Sequence, residues 1–418
     1  MSHFKILKIS DFKFEKFITL KLMFRNFFRR KVSNTANSLL KLALNQFHID
    51  HGANMVPYAG YSFPNYYQRG PVAEHLSCRK ECALFDASYY GQYLITGSDR
   101  EEFLKNLMPL SFPYEPDNSV QRSLITNDNG GIIDDCVVVS RVDNTTFLVV
   151  NGISLKKDDE HLQEQLETFK AYEKNVDVVF LKGSSLLSLQ GPKSSLVLNK
   201  LCSTSIAKLP YMSSIQNKID GINVWISRSG FTGEDGFEIS IEKPEDAVRI
   251  AQIISEQKEV SLAGLKARNS LRIEAGLPFY GTELDEETTP LEAGLESLIS
   301  KERQNGFPPF FGGKKILDEI KDHKKARDRR LVGLLFDTHD VASSNGCKIY
   351  NDSGRKEIGK VTSGVISPVL KRGIAMAYVS TICAKSKRQE HVNVEIENQK
   401  YPAVIVPMPF IRTNYYRG

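Results

Sequence analysis

The six cysteines of this 418-residue chain, Cys78, Cys82, Cys136, Cys202, Cys347 and Cys383, are scattered and form no C-x-x-C pair. That absence argues against a structural zinc site. The eight histidines are equally dispersed and no H-E-x-x-H occurs, so no metal is expected. Cys78 and Cys82, four apart, read as free thiols of a reducing compartment. Long apolar runs are missing too. Charge breaks every hydrophobic stretch before the ~18 residues of a membrane-spanning helix, so no span is predicted. No Gly-x-Gly-x-x-Gly follows an early strand, and no internal repeat or low-complexity tract is present.

What is there reads as an ordinary soluble chain, 41% hydrophobic and 25% charged, long enough for two or three packed modules. The net charge of +5 is unevenly spread. Residues 1–45 hold ten bases, among them Arg29, Arg30 and Lys31, and two acids, Asp11 and Glu15. From totals of 55 bases and 50 acids, the remainder keeps 45 and 48, a net of −3. The body therefore carries no basic footprint for nucleic acid. The N-terminal segment interleaves Phe, Ile and Leu with Lys and Arg, the character of an organellar transit peptide, with a disordered basic tail as the alternative.

Along the body, Gly and Pro between His51 and Pro64 predict loops. A helix is expected over 71–82, with Pro71 at its first position. Val137–Val139 and Phe147–Val150 flank Asp143-Asn144-Thr145 and read as a hairpin. A helix over 158–172 follows, then strands at Val178–Leu181, Leu186–Leu189, 223–227 and 237–241. Pro244 opens a helix with Ala247, Ile250, Ala251 and Ile254 on one stripe. The basic run Lys314–Arg330 reads as a solvated linker. Short strands at 331–336, 360–365, 374–379, 392–396 and 403–406 predict a small barrel or sandwich.

Four stretches could carry chemistry. Gly130-Gly131 makes a tight turn, and Asp134-Asp135 follows at the mouth of a strand. Strand neighbours point to opposite faces, so one Asp can face the interior and serve a reacting amine or a developing cation. Plain turn chemistry is the other reading. Glu238 lies between Phe237 and Ile239, where a carboxylate needs a partner or a ligand. Arg268 and Arg272 stand one helical turn apart and could fork a carboxylate, or pair structurally. The tail Pro407–Tyr416 is stiffened by two prolines, and its paired tyrosines could stack on a flat ring or simply pack. Together these describe a pocket for a flat, anionic-tailed ligand, and the residues alone go no further.

From about residue 46 to its end the chain resembles the T-protein family of the glycine cleavage system. The resemblance rests on an ordered series: Tyr58–Pro64, Gly130–Asp135, Leu189–Pro192, Gly233–Glu238, Ala263–Gly276, Val361–Gly364, Ser367-Pro368 and Asn414–Tyr416. It implies an α+β, three-domain folate-binding aminomethyltransferase fold, a ring around a central channel. Residues 1–45 would be a mitochondrial transit peptide, 46–310 two interleaved folate-binding domains and 311–418 a C-terminal β-barrel. It implies a matrix enzyme using tetrahydrofolate, without a metal, to take the methylene from the aminomethyl-lipoyl arm of a partner H-protein with release of ammonia. Residue by residue, Asp135 matches the catalytic aspartate and Glu238 the carboxylate on the pterin. Arg268, Tyr415 and Asn151 match further ligand contacts. The chain departs where the family has Ser-His-Met and it has Ser88-Tyr89-Tyr90; Tyr90 could still pack on the ring. Phe231 replaces a Tyr. An iron–sulphur assembly factor of the same fold, non-enzymatic and folate-binding, is the alternative; its Lys-Gly-Cys-Tyr-x-Gly-Gln-Glu loop is absent.

Overall fold

A computed structural model describes residues 39–110, 118–305, 310–321, 328–384 and 390–418. Most of the expected transit segment, up to residue 38, lies outside the described residues. Leu44, close to the end of that segment, is buried in the first core described below.

The chain begins with α1 (Asn45–Asp50), then strands β1 (Asn54–Tyr58) and β2 (Tyr61–Tyr66). These two form an antiparallel hairpin, although the stretch reads as loop in the sequence. Ala59 and Gly60 both have positive φ, 48° and 82°, which is the tight-turn geometry that matches strand twist. Next come α2 (Pro71–Lys80), β3 (Cys82–Asp86), β4 (Gly91–Thr96) and α3 (Arg100–Leu107). A three-stranded run β5 (Val120–Thr126), β6 (Ile132–Ser140) and β7 (Thr146–Val150) leads to α4 (Leu155–Ala171) and β8 (Asp177–Phe180). Then follow β9 (Ser185–Gln190), α5 (Ser194–Leu201), β10 (Ser214–Ile219), β11 (Ile222–Ser227) and β12 (Gly236–Ile241). The N-terminal body closes with α6 (Pro244–Ser255), β13 (Val260–Leu262) and α7 (Leu265–Glu274).

These strands build two interleaved sheets. One has the order β10-β11-β12-β9-β3-β13, the other β5-β6-β7-β4-β8. Each buries its outer face under helices. Ala247, Ile250, Ala251 and Ile254 of α6 are fully buried against Leu187, Ile239 and Ile241. Replacing Ile250 with Ala would cost about 2–5 kcal/mol. On the second sheet, Leu162 and Leu166 of α4 and Phe103 and Leu104 of α3 pack on Tyr93, Val138 and Leu148.

The run 314–330 is not a plain linker. After α8 (Lys301–Gln304), α9 (Gly313–Lys321) buries Ile316 and Leu317. The apolar positions of this run outweigh its basic residues: Ile316 joins Leu291, Ile299 and Phe310 in one cluster. Residues 322–327 lie outside the described part. The C-terminal strands are β14 (Arg329–Phe336), β15 (Lys348–Asn351), β16 (Glu357–Ser367), β17 (Arg372–Ser380), β18 (His391–Ile396) and β19 (Gln399–Val406). They close a barrel in the order β14-β17-β16-β15-β18-β19. β15 is too short and polar to stand out by pattern. No helix among the described residues is long and apolar enough to cross a membrane.

Candidate active site

The turn before β6 sets the first half of the site. Gly130 adopts φ 75°, and a Cβ on Gly131 would collide with the Glu286 carbonyl, so only glycine brings the strand in at this angle. Alternation along β6 then divides the two aspartates. Asp134 is fully buried and turns toward α4; Asp135 lines a cavity between the sheets. That cavity holds about 590 Å³ of empty space and is also lined by Tyr90, Arg122, Asn151, Tyr211, Phe231, Glu238 and Arg268. A second chamber of about 900 Å³ adjoins it, sharing Phe231 and Arg268, and opens between α7 and barrel residues Thr362–Gly364.

Asn151, at the end of β7, ties the aspartates together. Its backbone N–H donates to Asp134 Oδ2 at 2.7 Å. Its side-chain amide donates to Asp134 Oδ1 at 2.9 Å and to Asp135 Oδ1 at 3.0 Å. Beneath them Asp158 of α4 is fully buried, and neither of its oxygens meets a donor of ordinary geometry. Its neighbour is the Asp134 carboxyl, and two buried carboxyls in contact must share a proton. Burial and the paired charges push both up. Asp135 is raised by burial as well, opposed first by the Arg122 guanidinium.

Glu238 projects into the cavity from β12, while its neighbours Phe237 and Ile239 face the core. The Ser229 hydroxyl donates to Glu238 Oε2 at 2.8 Å, leaving Oε1 to the cavity. The loop before it approaches closely: a Cβ on Gly230 would overlap the Gln190 side chain.

The two arginines of α7 part company. Arg272 donates from Nη1 to Glu283 Oε2 at 2.6 Å, and both side chains are buried. Arg268 is also buried, but its Nη1 has no partner. Its Nη2 reaches only the Tyr90 hydroxyl, at 3.3 Å. A charged donor left open at a cavity wall is a receptor for an acceptor group.

Tyr90 stacks on Tyr89 with centroids 4.5 Å apart. Tyr415 is not among the lining residues. It stacks on Tyr211, which does line the cavity, with centroids 4.5 Å apart. The second tyrosine, Tyr416, covers the Arg228 guanidinium at 3.7 Å. Both tail aromatics therefore have protein partners, and Tyr211 is the ring the ligand would meet. Arg122 and Tyr211 are cavity residues that the sequence reading does not single out. Arg122 pairs with Val137 across the β5–β6 hairpin, two positions from the Leu124–Asp135 pair, so the register of that hairpin is the signal for it. Among the described residues no group of three or more His, Cys, Asp or Glu is arranged to hold a metal ion.

The GCVT N-terminal domain family matches residues 44–303, and the glycine cleavage T-protein C-terminal barrel domain family matches residues 329–411. The chain belongs to the glycine cleavage T-protein family. A mitochondrial aminomethyltransferase of Dictyostelium discoideum is 38% identical, covering 92% of this chain and 96% of that protein. The human mitochondrial aminomethyltransferase is 37% identical, covering 93% and 94%. The crystal structure of the glycine cleavage aminomethyltransferase T of Bartonella henselae superposes with a TM-score of 0.82 at 30% identity, over 91% of this chain and all of that one. The resemblance at Gly130–Asp135 and the tail thus extends to the whole fold, and this T-protein family member is an aminomethyltransferase of glycine cleavage. The interleaved sheets and closed barrel agree with the α+β, three-part architecture expected from sequence.

Proposed function

We propose that the chain transfers the methylene of an aminomethyl group, carried on the lipoyl arm of an H-protein, to tetrahydrofolate in the mitochondrial matrix. The methylene loses its bonds to the amino nitrogen and the lipoyl sulfur and gains bonds to folate nitrogens. Ammonia leaves and the dithiol is freed. Residues 1–45 would serve as the transit peptide, 46–310 as the two interleaved folate-binding domains and 311–418 as the barrel domain.

The observation that carries this reading is the convergence of Asp135, Glu238 and the open Nη1 of the Arg268 guanidinium on one cavity. In it, Asp135 accepts an N–H of the reacting folate edge and stabilises positive charge on the carbon in transfer. Glu238 takes donors of the pterin ring through the oxygen Ser229 leaves open. Arg268 donates to a folate acceptor, and Tyr90 offers a flat face beside it. Asn151 keeps Asp135 aimed, and Tyr415 backs Tyr211.

The test is ammonia release from aminomethylated, lipoylated H-protein, with and without tetrahydrofolate, by wild type and Asp135→Asn. Folate-dependent release that drops about 100-fold or more in the variant is expected. No stimulation by folate in a well-folded wild type would sink the reading and leave a non-enzymatic folate binder.

A further inference from the structure

Arg122 lies on β5, two residues before Leu124, the cross-strand partner of Asp135. Residues two apart on a strand share a face, so Arg122 and Asp135 look into the same cavity. Their nearest atoms, Arg122 Nη2 and Asp135 Oδ2, are 3.7 Å apart. That separation is within strong Coulomb reach and too long for a hydrogen bond. Nη2 is buried and has no hydrogen-bond partner. Asp135 Oδ1, by contrast, is taken by the Asn151 amide at 3.0 Å. The guanidinium also leans on the Phe231 ring, 5.9 Å from its centroid.

We propose that Arg122 is a positioning residue for Asp135, holding its carboxylate charged and aimed into the cavity while leaving Oδ2 free to accept an N–H from folate. This rests on the folate reading above. A guanidinium bonded directly to Oδ2 would occupy the lone pairs the ligand needs. A neutral side chain there would let the half-buried carboxyl take up a proton. The 3.7 Å gap supplies the charge without filling the acceptor.

Several titratable groups face Asp135. Asp134 and Cys136 are on its own strand and Asp158 is on α4 beneath. Tyr90, Glu238 and Arg268 stand across the cavity, and Tyr211 with Tyr415 flanks Arg122. Burial pushes Cys136, Tyr90, Tyr211 and Tyr415 up, away from neutrality. Glu238 is a further carboxyl on the cavity, so the acid limb of activity is read together with the Asp135 carboxyl itself, which titrates with the neighbouring aspartates as a set. Among the described residues Arg122 is the cation at ion-pair distance from Asp135.

The test follows the aspartate side-chain carboxyls of the full chain by 13C NMR across pH, with Asp135 assigned by its loss in Asp135→Asn. Wild type, Arg122→Leu and Arg122→Lys are compared, and the pH profile of folate-stimulated ammonia release is recorded in parallel. In Arg122→Leu the Asp135 midpoint should rise by roughly one pH unit, and the acid limb of kcat/KM should move with it. Arg122→Lys should restore most of both. An unmoved midpoint, or an activity loss in Arg122→Leu equal at every pH, overturns the proposal and makes Arg122 a packing residue. A wild type that releases no ammonia with folate refutes the reaction instead, and the carboxyl titration then decides the ion pair by itself.

Discussion

The side-chain amide of Asn151 donates to Asp135 Oδ1 over 3.0 Å. The same nitrogen serves Asp134 at 2.9 Å, so one residue aligns both carboxyls. Its backbone N–H would still hold Asp134 after the side chain is lost. Asn151→Ala should therefore lower stability by only about 1–2 kcal/mol, measured by urea unfolding. Misplacement of Asp135 should lower kcat by about 10- to 100-fold. A wild-type kcat in this variant would mean that other groups hold the carboxylate.

Arg268 and Arg272 invite opposite predictions, though they sit one turn apart on α7. Arg272 is paired with Glu283, which also accepts from Thr282, Thr362 and Ser363. Burial alone would raise the Glu283 carboxyl, but Arg272 and these hydroxyls hold it below its ordinary range. Arg272→Met strands that charge and should cost about 3–5 kcal/mol, read as a large drop in Tm. Arg268→Met removes a guanidinium with an open nitrogen and should leave Tm nearly unchanged while weakening tetrahydrofolate binding by about tenfold or more. Equal loss of stability in both would refute the division.

This division also marks where sequence reading stops. Helical spacing placed both arginines on one face, but Arg272 pairs with Glu283, which Thr362 and Ser363 of the barrel also bind, while Arg268 reaches the distant Tyr90. The helices with apolar stripes and the alternating strands were legible because their periods survive in a single segment. The β1–β2 hairpin was obscured by Pro57 and Pro64, which lie within its strands, and by Gly60, which with Ala59 makes the positive-φ turn. α9 was obscured by the lysines around its buried Ile316. Asp135 and Glu238 could be singled out as carboxylates in apolar strands. Arg122, Tyr211 and Asp158 could not, because each gains its meaning from strand register or tertiary contact.

The C-terminal tail offers a third test. Asn414 donates to Glu234 at 3.1 Å, and Tyr415 stacks on the cavity residue Tyr211. A stacked pair is worth about 0.5–1.5 kcal/mol beyond its buried area. Tyr415→Ala should therefore raise the KM for tetrahydrofolate roughly three- to tenfold, with a small change in Tm. A fall in kcat at constant KM would instead place Tyr415 at the reacting atoms.

Asp158 should be a source of instability that grows with pH. Burial, then the Asp134 charge, raises its pKa to about 10 from an ordinary value near 3.8. A group whose folded pKa lies above its unfolded one favours the fold fully only below the unfolded value. That contribution is lost as pH rises from about 4 through the folded pKa near 10. Asp134, raised to about 7, acts in the same direction over the lower part of that window. Asp158→Asn keeps the shape and replaces the shared proton with a permanent N–H donor to Asp134. The variant should be more stable than wild type by roughly 2 kcal/mol at pH 8, and the gain should shrink toward pH 4. Urea unfolding of both proteins across that range checks it. A difference independent of pH would mean that Asp158 folds without holding a proton, and the proton shared with Asp134 would have to be abandoned.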